Sequence, residues 1–272
     1  MKQAVVTAAR CPLMSRPSRR STQVDELLLG WSTQVLAEVT PGWLQVRSAY
    51  GYEGFASACC LAPVPEGGDS FAQAEKQVVT RALCAVLSVP RVQGYVVAEL
   101  TRGALVAPLT PPDGEGWLKA ALPGGRTGYT KSSFLGVYHK SSLPDQKALR
   151  RATADAALSY LGAPYRWGGK SPLGIDCSGL TFMAYWLQGV TIFRDARIEP
   201  GYPVHEIPRE QMALGDLLYF PGHVALYLGD GRYVHATART GSDGVVVNSL
   251  DPAAPDYRPD LAGSLYAVGS LF

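Results

Sequence analysis

Cys177 lies in the run Gly174-Ile175-Asp176-Cys177-Ser178-Gly179-Leu180, shortly after Tyr165-Arg166-Trp167-Gly168-Gly169. A thiol is thereby expected in the first turn of a helix, at the exit of a glycine-rich loop. Unpaired N–H groups and the positive end of a helix favour a thiolate, which predicts a pKa below the ordinary value of about 8.5, and backbone amides there can receive an oxyanion. A cysteine can equally serve as a small buried apolar residue, and that reading is given to Cys59, Cys60 and Cys84. By the same logic, alkylation near neutral pH should find Cys177 first.

A nucleophilic thiol needs a base, and two histidines follow at strand-like positions: Gly222-His223-Val224-Ala225-Leu226-Tyr227, then Tyr233-Val234-His235-Ala236. If Gly229-Asp230-Gly231 is a three-residue loop with Gly231 left-handed, Ala225 faces His235. The two-residue strand period then carries His223 and His235 to one face, where His235 can orient His223. A two-residue loop would put them on opposite faces. One histidine alone is readily a packing residue; two beside a helix-start cysteine predict nucleophile, base and orienter. A zinc site built from the three fits no short Cys/His framework and lacks a fourth ligand. No metal and no cofactor is expected.

These residues must be held by an α+β frame. A helix is expected from Asp145 as N-cap, with Ala148, Leu149, Ala152, Ala156 and Leu161 on one face and Gly162 as its stop. A second helix is expected over residues 177–187, its apolar face drawn by Leu180, Met183, Ala184 and Leu187 and its end marked by Gly189. Strands follow at 216–220, 223–228, 232–236 and 245–248. The long stretch 193–208 has no period and gives no conformation.

The first half repeats itself. Glu26-Leu27-Leu28-Leu29-Gly30 matches Glu99-Leu100-Thr101-Arg102-Gly103, Trp43-Leu44 answers Trp117-Leu118, and Gly54-Phe55 answers Gly128-Tyr129. Two related β modules are predicted. Strands are expected at 34–39 and 43–47 in one copy and at 104–108 and 117–122 in the other, with Pro41-Gly42 and Asp113-Gly114 as turns. Residues 63–76, carrying Pro65, Gly67 and Gly68, read as the linker.

At 272 residues and 47% apolar composition the chain suits two or three domains. Lys plus Arg (25) nearly balances Asp plus Glu (23), so charge recommends neither nucleic acid nor an anionic membrane as partner. No apolar run approaches the roughly 18 residues needed to cross a bilayer. The short apolar stretch 4–9 is ended by Arg10, too brief for a secretory signal, and five cysteines without a CxxC pair suit a reducing cytoplasm. A trimmed signal, with secretion or wall association, is the other reading.

Residues 162–180, Gly215-Asp216-Leu217, Gly222-His223-Val224-Ala225 and Tyr233-Val234-His235-Ala236 together resemble the NlpC/P60 family. The repeats resemble bacterial SH3 (SH3b) barrels. The resemblance implies an α+β papain-like catalytic domain at 145–272, preceded by all-β SH3b domains at 1–65 and 76–138. It assigns Cys177, His223 and His235 as the catalytic set. It further implies hydrolysis of the γ-D-glutamyl to diamino acid bond in murein-derived peptides with a free N-terminal L-Ala. Asp176 and Ser178 would hold the substrate amine and backbone, and Tyr165 would lean over the thiol. Arg194, with Arg197 as its near competitor, would meet the D-Glu carboxylate. Glu26 and Tyr52 are candidates to close the amine pocket, though solvated surface or barrel packing accounts for them as well. The expected partner is the cell-wall peptide alone, acted on by a monomer. Two rival readings are a wall-bound endopeptidase cutting intact peptidoglycan and a non-catalytic SH3b recognition protein.

Overall fold

The computed structural model describes residues 2–64, 67 and 70–272, so part of the expected 63–76 linker (Pro65, Glu66, Gly68 and Asp69) and Met1 lie outside the described residues. The chain divides into two compact units, Met1–Tyr138 and His139–Phe272.

The first unit contains strands β1 (Lys2–Val6), β2 (Arg10–Met14), β3 (Gln23–Leu28), β4 (Ser32–Thr40), β5 (Trp43–Ser48), β6 (Glu53–Ser57) and β7 (Leu61–Pro63). A single helical turn, α1 (Ser70–Gln73), stands inside the expected linker, and seven more strands follow: β8 (Gln77–Val79), β9 (Leu83–Leu87), β10 (Val96–Thr101), β11 (Leu105–Pro108), β12 (Trp117–Ala121), β13 (Thr127–Lys131) and β14 (Leu135–Val137). The sheet orders are β3-β2-β6-β5-β4-β1-β7 and β10-β9-β13-β12-β11-β8-β14. Adding seven to every label of the first order produces the second, so the sequence repeat is a repeat of topology. The apolar stretch at the start of the chain is consumed by β1, which pairs with β4 and β7 and buries Ala4, Val5 and Val6.

Physical causes for the repeated landmarks are visible. Gly30 and Gly103 both take left-handed backbone (φ 84° and 90°) and donate their N–H to the carbonyls of Val6 and Val79 at 2.9 Å each. Glycine is needed because a Cβ is strained at such φ. Gly54 and Gly128 lie where strands approach closely: a Cβ would come within 3.0 Å of Leu13 Cβ in one copy and 2.6 Å of Val86 Cγ1 in the other. The modules also share a core, since Leu29 of the first is buried among Val79, Val86, Leu100 and Leu118 of the second. Trp31 Nε1 donates to Gly103 O at 2.8 Å across the same seam.

The second unit holds α2 (Gln146–Leu158), β15 (Lys170–Ser171), β16 (Gly174–Ile175), α3 (Cys177–Trp186), β17 (His205–Ile207), β18 (Leu217–Phe220), β19 (His223–Gly229), β20 (Arg232–Thr237), β21 (Gly244–Ser249), α4 (Pro259–Ala262) and β22 (Ala267–Ser270). Six strands form one antiparallel sheet in the order β17-β22-β18-β19-β20-β21, against which α3 packs at β19 and β20. Asp145 caps α2 as expected, accepting from Lys147 and Ala148 N–H at 3.2 Å. Its buried face, however, is Leu149, Thr153, Ala154 and Ala157, with Ala148 and Leu161 exposed. Several alanines allowed either stripe by period alone. Helix α3 is buried from Cys177 to Tyr185 all round, not along one stripe, because it lies between α2 and the sheet. Within the aperiodic 193–208 stretch, residues from His205 onward form the edge strand β17.

Gly128→Ala should destabilise the protein by about 1 to 3 kcal/mol, since the added methyl has no room. Gly114→Ala, where a Cβ meets nothing within 4 Å, should stay within about 0.5 kcal/mol. Denaturant unfolding of both variants checks the pair.

Candidate active site

The glycine-rich loop and the start of α3 are one interlocked piece of backbone. Asp176 has extended φ/ψ (−95°, 177°) as N-cap of α3, and its carboxylate accepts from Gly179 N–H at 2.6 Å and from Gly168 N–H at 2.7 Å. A Cβ on Gly179 would sit 2.2 Å from Gly169 O, and one on Gly169 would sit 2.2 Å from Gly174 O. The glycines therefore let loop and helix close on each other, which fixes Cys177 at the first helical position.

Behind it stands Arg194, 2% exposed. Its Nη1 donates to Asp176 Oδ1 at 3.0 Å and Ser178 Oγ at 2.7 Å, and its Nη2 to Asp176 Oδ2 at 3.1 Å. This corrects the expectation that Arg194 meets a substrate carboxylate. A buried guanidinium beside a carboxylate forms the two-pronged pair, so both terminal nitrogens are engaged inside the protein. Arg197 is exposed and bonds Glu199 at 2.7 Å, with its guanidinium over the Phe193 ring.

His223 opens β19, paired with Phe220 across the turn through Gly222, whose φ of 67° suits that turn. His235 is fully buried on β20. Leu226 pairs with Val234 and Tyr227 with Tyr233, which places Ala225 opposite His235 as expected. The loop itself differs. Gly229 pairs with Arg232, leaving a two-residue turn of Asp230 and Gly231, both at positive φ (50° and 73°), while a bulge between Tyr227 and Gly229 supplies the extra residue. Turn and bulge together restore the register that a three-residue loop would have set. The histidines consequently share a face, with His223 Nε2 2.7 Å from His235 Nδ1.

Asn248 completes the row and was missed in the sequence. It lies on β21 opposite Tyr233, diagonal to His235, and its Oδ1 is 2.9 Å from His235 Nε2. Its Nδ2 donates to Asp256 O at 2.8 Å. The signal was a single amide ending the apolar run Val245-Val246-Val247, but the register of β21 could not be counted across the loop at 238–243.

The backbone N–H groups of Val224 and Ser178 point at the Cys177 sulfur, so the thiol lies beside the chain neighbour of His223. The expected lowering of its pKa is not found. Burial and then the Asp176 carboxylate push the Cys177 thiol up to about 11, against the amides and Arg194. Burial, then His235 and Arg258, hold His223 down at about 3. Burial holds His235 at about 4, against its bond to Asn248. The pair is at rest as neutral thiol and neutral imidazole. Tyr165 is half-buried, its hydroxyl raised first by burial and then by the charges of Cys177 and Asp176.

Glu26 and Tyr52 belong to the first unit. Glu26 is fully buried, with Arg10 Nη1 3.3 Å away, which excludes the solvated-surface reading; half-buried Tyr52 donates its N–H to Ser48 Oγ. Among the described residues no group of three or more His, Cys, Asp or Glu side chains is placed to hold a metal ion.

The NlpC/P60 family model matches residues 162–258, which include the loop, the thiol and both histidines. The chain is 42% identical to dipeptidyl-peptidase 6 of Lysinibacillus sphaericus over 271 residues, 99% of each protein. The chain belongs to the NlpC/P60 family. A γ-D-glutamyl-L-lysine dipeptidyl-peptidase of Bacillus cereus is 30% identical over 158 residues, 54% of this chain and 44% of that protein. The crystal structure of an NlpC/P60 family protein from Bacillus cereus superposes with a TM-score of 0.80 over 98% of both chains at 19% identity, a likeness of fold. In this NlpC/P60 protein the two N-terminal β modules fit the SH3b resemblance.

Two measurements follow from the electrostatics. Cys59 is exposed, and Cys60, half-buried, is lowered to about 6, first by its hydrogen bond with Cys11, so both depart from the buried reading. At about pH 7 iodoacetamide should label Cys60 and Cys59 before Cys177, reversing the expected order, as peptide mass spectrometry would report. For stability, the folded values of both histidines lie below the ordinary 6.5. The unfolded chain therefore binds more protons below that value, and stability present above about pH 6.5 is lost as pH falls toward about 4. Thermal unfolding across that range should show the decline, and His235→Gln should reduce it.

Proposed function

We propose that this cysteine peptidase hydrolyses the γ-D-glutamyl to diamino acid bond of murein-derived peptides that carry a free N-terminal L-Ala. The observation that carries the reading is the hydrogen-bonded row His223, His235, Asn248, with Cys177 beside Val224 next to it, in a chain that matches a dipeptidyl-peptidase 6 along its whole length. His223 takes the Cys177 proton as sulfur attacks the γ-carbonyl carbon. The tetrahedral oxyanion is met by backbone N–H groups at the start of α3. Collapse expels the diamino acid amine, protonated by His223, and leaves a thioester. Water, deprotonated by the same imidazole, then hydrolyses that thioester.

A neutral resting pair suits this sequence. A buried thiolate would be costly before substrate arrives, whereas proton transfer concerted with attack creates the oxyanion and the imidazolium together, so neither charge is buried alone. Asp176 and Ser178 lie at the same helix start, and their bonds to Arg194 hold rigid the backbone along which the substrate would lie. Tyr165, which feels the Cys177 charge, is assigned to lean over the thiol.

Cys177→Ala and His223→Ala should each lower kcat by about 10³-fold or more, and the double variant little further, because the two act as a unit. Mass spectrometry of products from L-Ala-γ-D-Glu-meso-diaminopimelate measures this; substantial turnover by folded Cys177→Ala would refute the mechanism. Acetylating the L-Ala amine removes a charge-assisted contact of about 1.5 to 3 kcal/mol and should lower kcat/KM tenfold or more. Equal rates on blocked peptide, or release of fragments from intact murein, would favour a wall-cutting endopeptidase.

A further inference from the structure

We propose that Asn248 is a positioning residue that sets the tautomers of both histidines, leaving the His223 nitrogen turned away from His235 bare and ready to take the Cys177 proton. The inference deepens the proposed mechanism and rests on the roles given there to Cys177 and His223.

One end of the row cannot be reversed. Asp256 O is a backbone carbonyl and only accepts, so the Asn248 atom 2.8 Å from it must be the NH₂ nitrogen. The amide oxygen then faces His235 Nε2 at 2.9 Å. An amide oxygen also only accepts, so His235 carries its hydrogen on Nε2. In neutral imidazole the other nitrogen is bare, and His235 Nδ1 is therefore an acceptor. It lies 2.7 Å from His223 Nε2, which must donate. His223 Nδ1 is left without a hydrogen, and it is the only ring nitrogen remaining for the thiol. Each step has one solution, and the chain ends at a main-chain carbonyl that no titration can alter.

The arrangement also limits where the proton goes. When the S–H proton moves to His223 Nδ1, the imidazolium formed is stabilised by the His235 acceptor. Asn248 Oδ1 at the far end is not basic, so the row orients without draining the proton away. The charged or titratable groups acting on the two rings are the rings on each other, Tyr233 edge-on to His235 from β20, and Arg258 and Asp260 beyond β21, while Cys177 of α3 lies beside Val224, the chain neighbour of His223. Burial keeps His235 neutral, at about 4, which the logic requires.

The test reads tautomers directly and needs no turnover. In the full-length Cys177→Ala protein, labelled with ¹⁵N-histidine, long-range ¹H–¹⁵N spectra at about pH 7.5 should show both histidines as Nε2–H forms with bare Nδ1. His223→Gln and His235→Gln assign the signals. Asn248→Leu, close in shape but without an acceptor, should admit the Nδ1–H form at His235 and, in the enzyme with Cys177 intact, lower kcat about 10- to 100-fold with KM little changed. Asn248→Asp keeps an acceptor but favours protonated His235, whose Nδ1–H would face His223, so the acid limb of kcat/KM should move to higher pH. An Nδ1–H form at either histidine in the parent, or a folded Asn248→Leu with tautomers and kcat unchanged within twofold, overturns the proposal. Should Asn248→Leu not fold, the parent spectra decide alone. Failure of Cys177→Ala to lose activity would strike the mechanism and leave the tautomer result standing.

Discussion

The carboxylate of Asp176 is the point on which the site depends. It receives Gly168 N–H from the loop, Gly179 N–H from the helix and both terminal nitrogens of Arg194. One ionised group thereby closes the helix N-terminus, clamps the loop to it and neutralises a guanidinium brought in from beyond the far end of α3. Charge-assisted bonds of this kind are each worth about 1.5 to 3 kcal/mol, and removing one partner of a buried pair costs more than the pair contributes. The same carboxylate raises the Cys177 pKa. Rigidity at Cys177 is thus obtained at the expense of its resting ionisation.

That trade accounts for the chemistry assigned to the site. A helix N-terminus alone would favour thiolate, as the sequence suggested, but at 5% exposure the desolvation cost is the larger effect. The contrast with Cys60 is instructive. It begins no α-helix, yet partial exposure and a hydrogen bond with Cys11 lower it to about 6. The more acidic thiol and the one at the helix start are thereby different cysteines.

The β modules show how far a pattern carries. Gly30 with Gly103 and Gly54 with Gly128 marked a repeat, and the two sheets have one topology. The glycines recur because each copy makes the same left-handed turn and the same close strand crossing, requirements of the backbone that any sequence for this topology must meet.

Local chemistry determined much of the rest: the cap at Asp145, the helix starting at Cys177, the strands carrying His223 and His235, and the stop at Gly189, all of which depend on backbone preferences within a few residues, whereas α2 ends at Leu158, ahead of Gly162. The histidine register was legible too, although by a different turn, because the hydrophobic alternation of the two strands leaves one parity in which both histidines meet. Tertiary structure decided what distant segments bring. Arg194 turns inward because burial leaves it no partner better than Asp176, and α3 is apolar all round because two layers cover it. Asn248 reaches His235 from a strand whose register lies beyond a loop that periodicity cannot count across. The Cys177 pKa belongs to the same class: the dipole is a property of the helix, readable from sequence, whereas desolvation is set by everything packed around it.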